Sequence, residues 1–206
     1  MDDTYKTIEK PGEGYFKDKG SKFISYAFPV QTEDEIKEHL VQLRKEHHSA
    51  RHHCYAWRLG TEEITYRAND DGEPSSTAGK PILGQLQSFG VTNILIVVVR
   101  YFGGTLLGVS GLINAYKSAA ASVLNQTQII TKTIERHYRL HFNYPALNDV
   151  MNIIKQENYS ILKTDFALDC KLDFSVKKSE ANKAEEIFNN YYGIEIKKLD
   201  ENLLIK

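Results

Sequence analysis

The sequence predicts an α+β protein of two domains. Three observations carry that reading: a continuous apolar run from Ile94 to Val99, β-branched at all positions but Leu95, helical periodicities interleaved with strand-like segments before it, and a second, smaller strand–helix series after about residue 130.

In the first part, Lys22 to Phe28 reads as a strand between the Lys17-Asp18-Lys19-Gly20 turn and Pro29. Thr32 followed by Glu35 predicts a capping box, each side chain satisfying an N–H that the first helical turn leaves free. Ile36, Leu40 and Leu43 share one face of that helix, which must pack on a sheet. Cys54 to Arg58 and Ile64 to Ala68 follow as strands, and Asn69 to Pro74 is dense with turn formers. A second helix is expected from Ser76 or Thr77, capped by that Ser75-Ser76-Thr77 cluster. Pro81 is tolerated in its first turn, Ile82, Leu86 and Phe89 repeat at helical spacing, and Gly90 ends it. Ile94 to Val99 suits a strand covered on both faces. A glycine-rich loop, Gly103 to Gly111, leads into a helix through about Leu124 that buries Leu112, Tyr116, Ala119 and Val123.

Asn125 to Thr133 loses the helical period and is taken as the junction, giving domains 1–130 and 131–206. Beyond it Ile134, Tyr138, Leu140 and Phe142 alternate with polar residues as a half-exposed strand. Leu147, Val150, Met151 and Ile154 form an amphipathic helix. A short strand near Ile161 precedes the alternation of Leu168, Cys170, Leu172, Phe174 and Val176. Ser179 is expected to cap a helix carrying Ala184, Ile187, Phe188 and Tyr191. Gly193 stops that helix, and Ile194 to Lys197 closes the series. This βαββαβ order is the ferredoxin-like signature.

Composition sets bounds on function. The 206 residues are 41% hydrophobic and 26% charged, enough for packed cores. No run approaches the roughly 20 apolar residues that span a bilayer, and the polar start Met1-Asp2-Asp3 lacks a secretory core. Two cysteines, Cys54 and Cys170, make no disulfide framework; both read as core residues of a reduced, cytoplasmic protein. With 26 basic and 27 acidic residues the formal charge is −1, so a polyanion site must be a local patch.

Arg51, Lys80 and Arg100 are the candidates for that patch; Lys80 and Arg100 equally suit ion pairs with Asp70, Asp71 or Glu73. The same acids, with Lys80, suit a Mg²⁺-dependent hydrolase or phosphotransferase. Gly103, Gly104 and Gly108 precede a helix, where free N–H groups receive phosphate, or they mark close helix–sheet packing. His47, His48, His52 and His53 give no tetrahedral ligand set, so no metal or cofactor is expected. Tyr55 and Trp57 are either base-stacking groups or core.

The segments Ala50-Arg51-His52-His53-Cys54-Tyr55-Ala56, Asp70 to Pro81 and Val99 to Leu112, in that order, resemble the YigZ/IMPACT family. The resemblance implies a first domain like the second domain of ribosomal protein S5. It also implies a second like domain V of elongation factor G, and a cytoplasmic protein that binds nucleic acid or ribosomes in translation regulation. RNA or the ribosome is then the expected partner, a protein scaffold role the alternative, and a membrane is not expected. The kinase-pathway role of eukaryotic relatives is not expected to transfer, because their extra partner-binding domain is not expected in this chain.

Overall fold

The computed structural model describes residues 3–167 and 169–199; Met1, Asp2 and Leu168, read above from the sequence, lie outside the described residues. The first elements are β1 (Thr4–Ile8), β2 (Gly12–Asp18), β3 (Ser21–Pro29), α1 (Glu33–Glu46), β4 (His52–Leu59) and β5 (Thr65–Asn69). They are followed by α2 (Gly79–Ser88), β6 (Ile94–Tyr101), α3 (Gly108–Gln126) and β7 (Ile129–Thr133). Then come β8 (Glu135–Asn143), α4 (Leu147–Gln156), β9 (Ser160–Phe166), β10 (Asp169–Lys177), α5 (Ala181–Asn189) and β11 (Ile194–Lys198). Two compact units result, one of Tyr5–Lys132 and one of the described residues from Thr133 onward together with Asp3 and Thr4. Among the described residues no helix is long and apolar enough to cross a membrane.

In the first unit an antiparallel sheet runs β2-β3-β6-β4-β5, with β6 in the centre. The unbroken apolar run of β6 serves two cores. Ile94, Ile96 and Val98 pack with Ile82 and Leu86 of α2 and with Leu112, Tyr116 and Ala119 of α3. Leu95, Val97 and Val99 pack with Ile36 and Leu43 of α1 and with Trp57. Thr32 Oγ1 accepts the Glu35 N–H at 3.2 Å, while Glu35 Oε2 accepts from Gln31, one residue before the cap, at 2.7 Å. The box is thus reciprocal but shifted outward by one residue.

Two stretches differ from the sequence expectation. Asn125 and Gln126 continue α3, and Ile129–Thr133 is not an irregular junction but the strand β7, paired with β1 as a separate ribbon. The other stretch is Thr4–Asp18, which forms the strands β1 and β2. A Cβ on Gly14 would lie 2.5 Å from the Val123 backbone nitrogen, so glycine here is the condition for α3 to lie against the sheet.

The second unit is a four-stranded antiparallel sheet in the order β11-β8-β10-β9. The β8–β10 register pairs Tyr138 with Phe174, Leu140 with Leu172 and Phe142 with Cys170. That puts all six on the face where Val150, Ile154 and Phe188 of α4 and α5 complete the core. Ser179 does not cap α5. It sits in a single 3₁₀ turn, Lys178–Glu180, and the cap position is Glu180 without a side-chain bond.

Candidate functional site

Antiparallel pairing sets His52, at the start of β4, opposite Arg100, near the end of β6. The Asp70–Pro74 turn and the start of α3 gather at the same end of the sheet. Each acid of that turn has its own occupation. Asp70 accepts the N–H groups of Ser76 (2.8 Å), Ala78 (3.0 Å) and Gly79 (2.8 Å), so it, and not the Ser75-Ser76-Thr77 cluster, caps α2. Thr77 Oγ1 instead donates to the Pro74 carbonyl. Asp71 accepts from Arg44 at 2.7 Å and from the His53 backbone N–H at 2.6 Å, and its carbonyl lies 2.8 Å from His52 Nδ1. Burial pushes its carboxyl up, but Arg44 and the His53 N–H outweigh this and hold it below the usual carboxylate range.

Glu73 is buried. Its Oε1 accepts from Arg100 at 2.6 Å and from the Tyr116 hydroxyl at 2.7 Å. Cys54 Sγ lies 3.0 Å from the Asp70 carbonyl and 3.3 Å from that hydroxyl, so its one proton has two acceptors in reach. Burial pushes the Cys54 thiol and the Tyr116 phenol well up, so Cys54 is a protonated core residue and no nucleophile. Asp70, Asp71 and Glu73 therefore act as a cap, a clamp on β4 and a buried counter-ion. Their carboxylates serve three separate sets of partners, and among the described residues no group of three or more His, Cys, Asp or Glu is placed to hold a metal ion.

Of the predicted cations, Arg51 and Arg100 line one cleft of about 460 Å³ with His52, Glu73 and Gly108; Lys80 is exposed on α2 and is not part of it. Arg100 is no free phosphate ligand, being buried and committed to Glu73. Its guanidinium carbon lies 5.6 Å from the Phe23 ring centre and 5.7 Å from that of Phe102. Gly103 does not offer a free donor. Its N–H donates to Ser21 Oγ, and a Cβ there would sit 2.1 Å from the Ser21 nitrogen. Gly104 (φ +89°) and Gly108 (φ +72°) have open space and supply left-handed turns at the mouth of α3, whose first turn lacks a side-chain cap.

Phe102 was not among the residues singled out, and it is 55% exposed. It lines the cleft with Arg51 and also a second one of about 410 Å³, walled by Lys22, His47 and Tyr101. His47 is held between two phenols, Nε2 at 2.7 Å from Tyr26 Oη and Nδ1 at 2.9 Å from Tyr101 Oη. The stacking candidates from the sequence go the other way: Trp57 is core and Tyr55 packs beside it. The signal for Phe102 is its place between a buried strand and Gly103-Gly104, where a large ring has no partner layer.

The family model described as the Impact N-terminal domain matches residues 19–124. The chain is 31% identical over 183 residues to the IMPACT family member YvyE of Bacillus subtilis, covering 89% of this chain and 84% of that protein. It is 38% identical over 150 residues to the IMPACT family member YigZ of Escherichia coli, covering 72% and 74%. Rat Protein IMPACT is 35% identical over 96 residues, 44% of this chain and 30% of that protein. A crystal structure of a hypothetical protein superposes with a TM-score of 0.70 at 29% identity, covering 98% of this chain and all of that one.

Proposed function

The chain belongs to the IMPACT family, and from that premise we propose that it binds single-stranded RNA in the regulation of translation, at the surface around Phe102. The observation that carries the reading is the half-exposed Phe102 ring on the wall common to two clefts, with Arg51 in one and Lys22 in the other. A base stacks on an aromatic face whatever its identity, and cations to either side meet the flanking phosphates. The first-turn N–H groups of α3 add donors beside Arg51. Arg100, neutralised by Glu73, acts as the fixed support behind the ring.

The family resemblance supports the translation context. It also supports reading the first unit as like domain 2 of ribosomal protein S5. The second unit is read as ferredoxin-like from its βαββαβ order and its β11-β8-β10-β9 sheet.

The test is titration of a labelled single-stranded RNA oligonucleotide by anisotropy at several salt concentrations. Two phosphates neutralised give a log–log slope of about −1.4, at roughly −0.7 per phosphate. Phe102→Ala abolishes binding and Phe102→Trp retains it. Equal affinity of Phe102→Ala and the unaltered chain overturns the reading.

A further inference from the structure

β9 forms one edge of the sheet of the second unit, and all seven of its residues are exposed. Among them are Ile161, Leu162 and Phe166, each at least 40% accessible. An edge strand offers a row of N–H and C=O groups that another strand can pair with. The side chains of this edge say which strand fits.

On the face opposite α4 and α5, β8, β10 and β9 carry charges in alternating sign. Arg139 stands opposite Asp173, and Asp173 opposite Lys163. The Arg139 guanidinium donates to both Asp173 oxygens, at 2.7 and 2.8 Å. One row along, Lys171 stands opposite Asp165. The outermost charges of the two rows are thus a lysine and an aspartate, two residues apart on the free edge.

We propose that β9 pairs antiparallel with β9 of a second copy of this chain, about a two-fold axis beside Thr164. A sheet that continues through such an axis keeps like faces together, so each residue meets one of its own parity. With Thr164 on the axis, Lys163 meets Asp165 of the second copy and Leu162 meets Phe166 of the second copy, each contact made twice. Opposite charges, an aliphatic–aromatic pair and a Thr–Thr pair are the cross-strand combinations that stabilise antiparallel pairs. The charge row then runs unbroken from Arg139, Asp173 and Lys163 to Asp165 and Lys171 of the second copy.

The neighbouring registers are excluded by the same rule. An axis at Lys163 opposes two lysines, and one at Asp165 opposes two aspartates. Leu162 is the extra residue where the β9–β10 register shifts, and the bulge confines the paired edge to Leu162–Phe166. An interface this short falls below the standard size, so the dimer is reversible.

Sedimentation equilibrium of the full chain, from micromolar to millimolar, is the test. The mass rises to twice that of the monomer with concentration, and Leu162→Glu, at an exposed position, holds the monomer. Directly opposed residues have Cα atoms about 4.5–5.5 Å apart, within the span of a disulfide. Thr164→Cys therefore yields a covalent dimer on mild oxidation, against no background because Cys54 and Cys170 are buried. Asp165→Cys, which faces Lys163 of the second copy, does not. A monomer at millimolar concentration, a dimer indifferent to Leu162→Glu, or crosslinking that favours position 165 over 164 overturns the proposal.

Discussion

Arg100 and Glu73 meet at 2.6 Å with their side chains 8% and 4% exposed. The Tyr116 hydroxyl shares the same carboxylate oxygen. The pair therefore joins the end of β6, the Asp70–Pro74 turn and α3 through one oxygen. Removing either partner strands the other charge away from water, which costs about 3–5 kcal/mol. Glu73→Ala and Arg100→Ala should each lower unfolding stability by that order in urea denaturation. The double change should cost clearly less than the sum, because each single change already breaks the one interaction. Additive losses would show that the two residues act separately.

Arg51 and Lys22 are the cations on which the salt dependence should rest. Each lines a cleft beside Phe102 and neither belongs to the buried pair. Arg51→Ala and Lys22→Ala should each flatten the salt slope of RNA binding by about 0.7, one phosphate's share, at unchanged melting temperature. Lys80→Ala should leave the slope as it is. A slope that responds to Lys80 and not to Arg51 would move the binding surface to α2.

The parts of this architecture that could be read from the sequence are those where one physical requirement dominates. Ile94 to Val99 reads as a two-faced strand, since six consecutive apolar residues, five of them β-branched, suit a strand covered on both faces. The alternation through Tyr138, Leu140 and Phe142 likewise allowed one assignment. β2 escaped because Gly12 and Gly14 read as strand breakers, yet a Cβ at either position would collide with α3 or the residue that follows it. The site was legible only in part, for a different reason. Arg100 is visible as a cation at a strand end, but its choice of Glu73 over Asp70 and Asp71 depends on the turn between them. That turn puts Asp71 (φ +42°) and Gly72 (φ +85°) in left-handed conformations and sends the three carboxylates to three separate partners.

Gly103 and Gly104 are adjacent and should respond unequally to the same change. At Gly103 an added Cβ would lie 1.9 Å from the Gly20 carbonyl carbon, backbone against backbone, so Gly103→Ala must separate the loop from the β2–β3 turn. At Gly104 the Cβ meets open space and only the left-handed φ is unfavourable, worth about 1 kcal/mol. Gly103→Ala should therefore show the larger fall in melting temperature by calorimetry, with Gly104→Ala close to the unaltered chain. Equal effects would mean that the loop relaxes away from Gly20.

His53 is the group whose burial makes stability depend on mild acidity. The residue is 3% exposed, and an Asp71 carboxylate oxygen lies 3.9 Å from its Nδ1. Burial lowers its pKa from the ordinary 6.5; the charges of Arg44 and His47 add to the lowering, while Asp71 and the His47 backbone oppose it. Since the unfolded chain takes up this proton near 6.5 and the folded one only at lower pH, the unfolded state binds more protons in between. Stability attributable to His53 is thus complete above about 6.5 and is lost as the pH falls from there toward the folded value. Asp71, also lowered, adds a loss of the same sign in a separate window, below its ordinary 3.8. Urea unfolding measured from neutral pH downward should show the first loss, and His53→Leu should remove that part of it while leaving the Asp71 window in place. An identical pH profile in His53→Leu would assign the acid sensitivity to other histidines.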